Sequence, residues 1–266
     1  MLTGPDGIDI HYEEFGTGPT LLFINAALAT GGSWEQQVGP LGVDHRTVTF
    51  DWPGTGKSAR PNIRYTTELI LETTLALIDH LDAEDLTVVA QGLGGHIGIL
   101  AAEARPDRVH RLVLASTGPW FRGTRDGRVG GLSVEFEQWM VAARTTDVAV
   151  AAFTDYVNRF LFLHPARPEV VDWIVRDALE WPPYVFREYN DAMADLDHRE
   201  RAARIEQPVL VLHGRHDLKQ RYEGAEVLAE IFPNARLRTF ENSAHVPGLE
   251  EKLRFNEALR AFVRER

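Results

Sequence analysis

Val88-Val89-Ala90-Gln91-Gly92-Leu93-Gly94-Gly95 is the stretch on which the fold of this 266-residue chain turns. The apolar run from Leu86 to Ala90 reads as a strand buried on both faces. Leu93 to Ala104 reads as a helix of small residues. One tight turn joins them. A strand that reverses straight into a helix leaves little room for side chains beside the turn, and Ala90, Gly92, Gly94 and Gly95 are all small. Glycine also reaches strained backbone angles at least cost. The glycine spacing does not match the dinucleotide pattern G-x-G-x-x-G, and too many strands precede it. On its own the stretch is a glycine-rich strand–helix connection.

Outward from it the chain alternates. Ile8 to Glu13 switches apolar and polar like an edge strand. Thr20-Leu21-Leu22-Phe23-Ile24, Thr47 to Asp51, Leu112 to Ala115, Pro208 to Leu212 and Leu237 to Phe240 read as further strands. Between them, helices are expected at Ser33–Leu41, Thr66–Leu81, Tyr222–Phe232 and from Leu249 to about Val263, with Thr66 as an N-cap. Strands alternating with helices build βαβ units and a mostly parallel sheet. From Gly118 to about Arg204 the rhythm breaks into a mainly helical, aromatic-rich segment with no strand signal.

Lys plus Arg is 28 and Asp plus Glu is 39, a net charge of −11. An acidic chain argues against nucleic acid, whose phosphates need a basic face. Zero cysteine excludes a disulfide scaffold, a thiolate zinc site and a catalytic thiol. No apolar stretch approaches the roughly 18 residues of a spanning helix. The N-terminus shows no basic and apolar leader pattern. These features predict a cytoplasmic protein without membrane attachment, a monomer or homodimer, acting on a small molecule without metal or cofactor. His213-x-x-His216-Asp217 lacks a fourth ligand nearby and is not read as a metal site.

Three loops at the C-terminal ends of predicted strands carry the chemistry, where open α/β sheets bind ligands. Ala90 to Gly95 is one. His213-Gly214-Arg215-His216-Asp217 is the second. Glu241-Asn242-Ser243-Ala244-His245, running on to Glu250, is the third. Together they resemble the α/β-hydrolase fold. The first matches its nucleophile elbow G-x-S-x-G except at the centre, Gly214/Asp217 match the G-x-x-D of its acid loop, and His245/Glu250 match H-x-x-x-x-E after its last strand. The order elbow, acid, histidine is the hydrolase order. Asp51-Trp52-Pro53-Gly54-Thr55-Gly56-Lys57-Ser58 is similar to the family's D-x-P-G-x-G-x-S. Phe23-Ile24-Asn25-Ala26-Ala27, with Trp34 downstream, stands where the family has its oxyanion loop, nearest to the N-S variant of enol-lactonases.

The resemblance implies an eight-stranded, mostly parallel sheet with helices on both faces. It implies a core of residues 1–117 and 205–266 and a helical cap of residues 118–204. It assigns His245 as base and Asp217 as its orienting acid. The backbone N–H groups of Ala26 and Leu93 become the oxyanion hole. Gly92 departs from the pattern, because glycine has no side chain to attack a carbonyl. Three readings follow. The His245–Asp217 pair works without a nucleophile, in hydrolysis of a small ester or lactone or in proton abstraction. Alternatively, glycine replaces a serine in an esterase or lactonase disabled to trap its substrate. Alternatively, the protein binds a ligand without turning it over, although a receptor has no need of Asp217 and His245.

Pockets are mostly apolar with a few placed polar groups. A cap over the strand ends therefore suggests a small apolar, aromatic or polyketide-like substrate. Asn25, Trp34, Gln91, Trp120, Phe121, Trp139, Phe160 and Trp181 are the candidate lining residues. His45, His80 and His198 read as solvent-facing, and His96 as a core histidine at the pocket border.

Overall fold

The computed structural model describes residues 1–143 and 149–265; residues 144–148 of the expected cap lie outside that description. The strands are β1 (Leu2–Thr3), β2 (Asp9–Ile10), β3 (Tyr12–Phe15), β4 (Thr20–Ile24), β5 (Arg46–Phe50), β6 (Leu86–Gln91), β7 (Val109–Ala115), β8 (Thr124–Arg125), β9 (Arg128–Val129), β10 (Val209–Gly214) and β11 (Ala235–Phe240). The main sheet runs β11-β10-β7-β6-β4-β5-β3, with only β3 antiparallel. It has seven strands, not the eight expected. At the N-terminus β1 pairs with β2 as a separate two-stranded sheet.

Period two decides the layers. Leu22, Ile24, Val88, Ala90, Leu112, Leu114, Val209 and Val211 face one core. Their neighbours Leu21, Phe23, Val89, Val113, Ala115, Leu210 and Leu212 face the other. Each central strand therefore needs apolar residues at every position, which is why it reads as a continuous run.

The first core is covered by α2 (Thr67–Leu81) and α3 (Leu93–Ala104). The second is covered by α11 (Lys252–Arg264), through Phe255, Leu259 and Phe262. The expected helix at 33–41 begins as a 3-10 turn, Gly31–Trp34, and continues as α1 (Glu35–Leu41). The expected helix at 222–232 forms as α9 (Tyr222–Ile231), and the expected last helix is broken at Glu251 into α10 (Pro247–Glu250) and α11.

Between β7 and β10 lie α4 (Val134–Ala143), α5 (Ala149–Tyr156), a π-turn (Val157–Leu161), α6 (Pro168–Leu179), α7 (Pro183–Ala192) and α8 (Arg199–Ala202). This segment is not wholly helical: β8 and β9 form a hairpin. Asp126 and Gly127 at its tip both have positive φ, 50° and 75°, the requirement of a type I′ turn. The segment's own core is aromatic. Phe136 stacks on Trp139 at 5.5 Å between ring centres, and Tyr156 and Phe160 close around them.

The segment is bolted to the sheet's C-terminal edge. Tyr189 Oη donates to Pro53 O at 2.9 Å, and His245 N donates to Leu161 O at 3.1 Å. Asp51 is a brace rather than a reactive group: its carboxylate accepts from Gly31 N and Lys57 N, each at 2.8 Å. His45 and His198, expected at the surface, are both buried. His45 Nδ1 meets Asp44 Oδ1 at 2.9 Å, and His198 pairs with another histidine.

Candidate active site

The elbow takes the backbone shape that its glycines allow. Gly92 sits at φ +53°, ψ −118° between β6 and α3, a conformation that costs most side chains about 1–3 kcal/mol. Gly94 has no room for a side chain either, since a Cβ there would lie 2.4 Å from Asn25 O. The elbow helix is thus pressed backbone to backbone against the loop after β4.

That contact brings Ala26 beside Leu93. Among the described residues neither backbone N–H is used in a hydrogen bond. Leu93 N–H also points from the positive end of α3. Asn25 does not reach the cavity. Its Nδ2 donates to Ala29 O and Ala26 O, so it shapes the loop from behind.

The acid and histidine loops converge on the same place. Asp217 Oδ1 accepts from Lys219 N at 2.8 Å and Gln220 N at 2.9 Å. Its Oδ2 accepts from His245 Nδ1 at 2.8 Å, and His213 Nε2 lies 3.3 Å away. Burial alone would raise the Asp217 carboxyl. The charges and hydrogen bonds of His245 and His213 outweigh it and hold the acid below its ordinary range. Burial pulls His245 down and Asp217 opposes this only in part, so the imidazole titrates below 6.5 and is neutral at pH 7. With Nδ1–H given to Asp217, the lone pair is on Nε2. His245 Nε2 is buried and has no partner among the described residues. A Cβ on Gly92 would lie 3.6 Å from it and 3.3 Å from Ala26 Cβ.

A model of the alpha/beta hydrolase fold matches residues 19–252. The chain belongs to the α/β-hydrolase fold family. It is 26% identical to 3-oxoadipate enol-lactonase 2 of Acinetobacter baylyi, over 99% of this chain and 96% of that one. It is 28% identical to a pimeloyl-[acyl-carrier protein] methyl ester esterase of Nitrosomonas europaea, over 90% and 94%. Among solved structures, an esterase from Exiguobacterium antarcticum superposes with a TM-score of 0.90 at 24% identity, covering 99% of this chain and 98% of that one. These relatives are hydrolases, and the family is one of esterase and lactonase type. No helix among the described residues is long and apolar enough to cross a membrane.

Two lobes of a cavity adjoin here, sharing Ala27, Leu28 and His245 in their walls. The outer lobe is lined by Ala26, Trp34, Gln91, Tyr156 and Trp173. The deep lobe is lined by Gly92, Leu93, His96, Phe121 and Lys219. Of the candidate lining residues, Trp34 and Gln91 border the outer lobe and Phe121 the deep one. Trp120, Trp139, Phe160 and Trp181 line neither lobe. Trp120 Nε1 donates to Gly123 O and Trp139 Nε1 to Asp155 Oδ2. Phe160 packs on Phe136, and Trp181 Nε1 donates to Ala29 O at 2.9 Å. Each is core of the inserted segment or its seam with the sheet.

The sequence reading missed Tyr156 and Lys219. Lys219 had a signal: it lies two residues beyond the acid, a span that a tight loop keeps inside the site. Among the described residues no cluster of three His, Cys, Asp or Glu is arranged to hold a metal.

Proposed function

We propose that the protein hydrolyses a small, largely apolar ester or lactone by general-base catalysis, with no acyl-enzyme. A water beside Gly92 gives its proton to His245 Nε2 as its oxygen attacks the substrate carbonyl. The tetrahedral oxyanion is held by the N–H groups of Ala26 and Leu93. The imidazolium, steadied by Asp217, then returns the proton to the leaving alkoxide. We also infer that residues 118–204 act as the cap over this reaction.

One observation carries the reading: a buried, unpartnered His245 Nε2 faces the position where residue 92 would have its side chain. The retained elbow angles favour a second reading, a serine hydrolase deprived of its serine. The test is to assay the protein and Gly92→Ser on aryl esters and lactones, with a fluorophosphonate probe. Turnover by the unaltered protein without labelling, lost in His245→Ala, supports general-base hydrolysis. Activity and labelling that appear only in Gly92→Ser support the second reading.

A further inference from the structure

The deep lobe holds a buried cation that the proposed chemistry does not use. Lys219 is 6% exposed. Its Nζ donates one hydrogen bond, to Tyr156 Oη at 2.8 Å. It lies 4.9 Å from the ring centre of Phe136 and 5.1 Å from that of Tyr156. An ammonium has three protons to give. Asp217, the carboxylate closest in sequence, directs its ion pairs to His213 and His245. Among the described residues no carboxylate pairs with Lys219. Burial lowers the ammonium to about 8 and Asp217 opposes this, so it is mostly charged at pH 7.

Burying a charge is costly unless it is paired and hydrogen-bonded. Two aromatic faces and one phenol compensate only part of that cost. A second group in the lobe points the same way. Ser116 Oγ lines it, fully buried, with no partner among the described residues. Ser116 also holds a φ of +48°, which is uncommon for a residue other than glycine. An ammonium and a hydroxyl on one small lobe suit two oxygens of a single anionic group, joined by charge-assisted hydrogen bonds. One ammonium and one hydroxyl match a monoanion better than a phosphate dianion.

We propose that Lys219 sets specificity by receiving a free carboxylate of the substrate, with Ser116 as the second donor. The substrate is then an ester or lactone that carries an acid group away from its reacting carbonyl. This inference rests on the hydrolytic reading for what is turned over, but not for what is bound.

The experiment has a binding arm and a turnover arm. Phenylacetate and phenylacetamide are titrated calorimetrically into the unaltered protein and into Lys219→Met. The unaltered protein should bind the acid about 30-fold more tightly than the amide, the lower range for a buried charge pair. Lys219→Met should abolish that preference. Equal affinity for the two in the unaltered protein, or no affinity for the acid, overturns the proposal even if Lys219→Met fails to fold. Turnover then compares a mono-aryl succinate with its methyl-capped diester. Preference for the free acid, reversed in Lys219→Met, is the expected result. Acid binding without turnover sinks the hydrolytic reading and keeps Lys219. Turnover without acid preference does the reverse. A lysine that only braced Tyr156 would leave the acid-to-amide ratio unchanged.

Discussion

His96 Nδ1 and His198 Nε2 lie 3.0 Å apart, which joins α3 of the sheet core to the entry of α8. The rings stack at 5.1 Å, and both residues are buried. One nitrogen must donate and the other accept, and burial keeps both rings neutral near pH 7. Burial pushes His96 down to about 4, and burial with the facing His96 lowers His198. The unfolded chain binds protons from about pH 6.5 downward while the native pair does not. Stability is therefore complete above pH 6.5 and is lost as pH falls toward 4. For His96 alone the loss by pH 5 is about 2 kcal/mol. Urea unfolding at pH 7.5 and pH 5 measures it. An equal pH slope in His96→Asn would show that the pair is not responsible.

The same sign applies to the rate. His245 is a base only when neutral, and its burial lowers its titration below 6.5. On the proposed mechanism kcat/KM rises with pH through a point below 6.5 and then levels. An acid limb centred above 7 would assign the base to another group.

Asp217→Asn keeps an acceptor for Lys219 N and Gln220 N but leaves the His245 tautomer unfixed. We expect kcat to fall by roughly 10³-fold or more, with little change in the unfolding midpoint. Loss of activity together with loss of fold would show that Asp217 serves mainly as a brace.

Gly92→Ala tests the space beside the base. Its methyl would lie 3.6 Å from His245 Nε2, where the attacking water is proposed. The positive φ costs alanine about 1 kcal/mol of stability. The expected result is that small loss with a much larger fall in turnover. Unchanged kcat would move the water elsewhere.

Gly94→Ala should be worse for the fold. The added Cβ would meet Asn25 O at 2.4 Å and Ile24 O at 2.8 Å, and backbone cannot rotate away. A loss of roughly 3 kcal/mol or more is expected, read as a lowered Tm.

How much of this was legible in the chain depended on the kind of burial. β4, β6, β7 and β10 are covered on both faces, so their apolar runs were visible without a partner. The acid loop was visible because Gly214 and Asp217 sit next to such a strand, and the histidine loop because His245 follows β11, an edge strand still marked by Leu237 and Phe240. The inserted segment was legible only as helical and aromatic. Apolar spacing says that Trp139 or Phe160 is buried, but not whether a cavity or another ring lies against it. The β8–β9 hairpin left a signal that was passed over, Asp126-Gly127 between short extended pairs. His198 read as exposed because its partner, His96, is 102 residues away. The eighth strand came from the resemblance alone: seven runs along the chain read as strands.

Ala29 and Thr30 belong to two parts of the molecule at once. Ala29 O accepts from Asn25 of the core and from Trp181 of the insertion. Thr30 N donates to Asp177 Oδ2 of α6 at 2.9 Å, and Thr30 Oγ1 donates to Asp177 Oδ1 at 2.5 Å. Helix α6 is thus pinned to the loop that carries Ala26. A displacement of α6 would therefore be passed to that loop. On the proposed reading of the insertion as a cap, admission of a guest and alignment of the loop form a single mechanical coordinate, so a doorway left ajar is also a tool out of true.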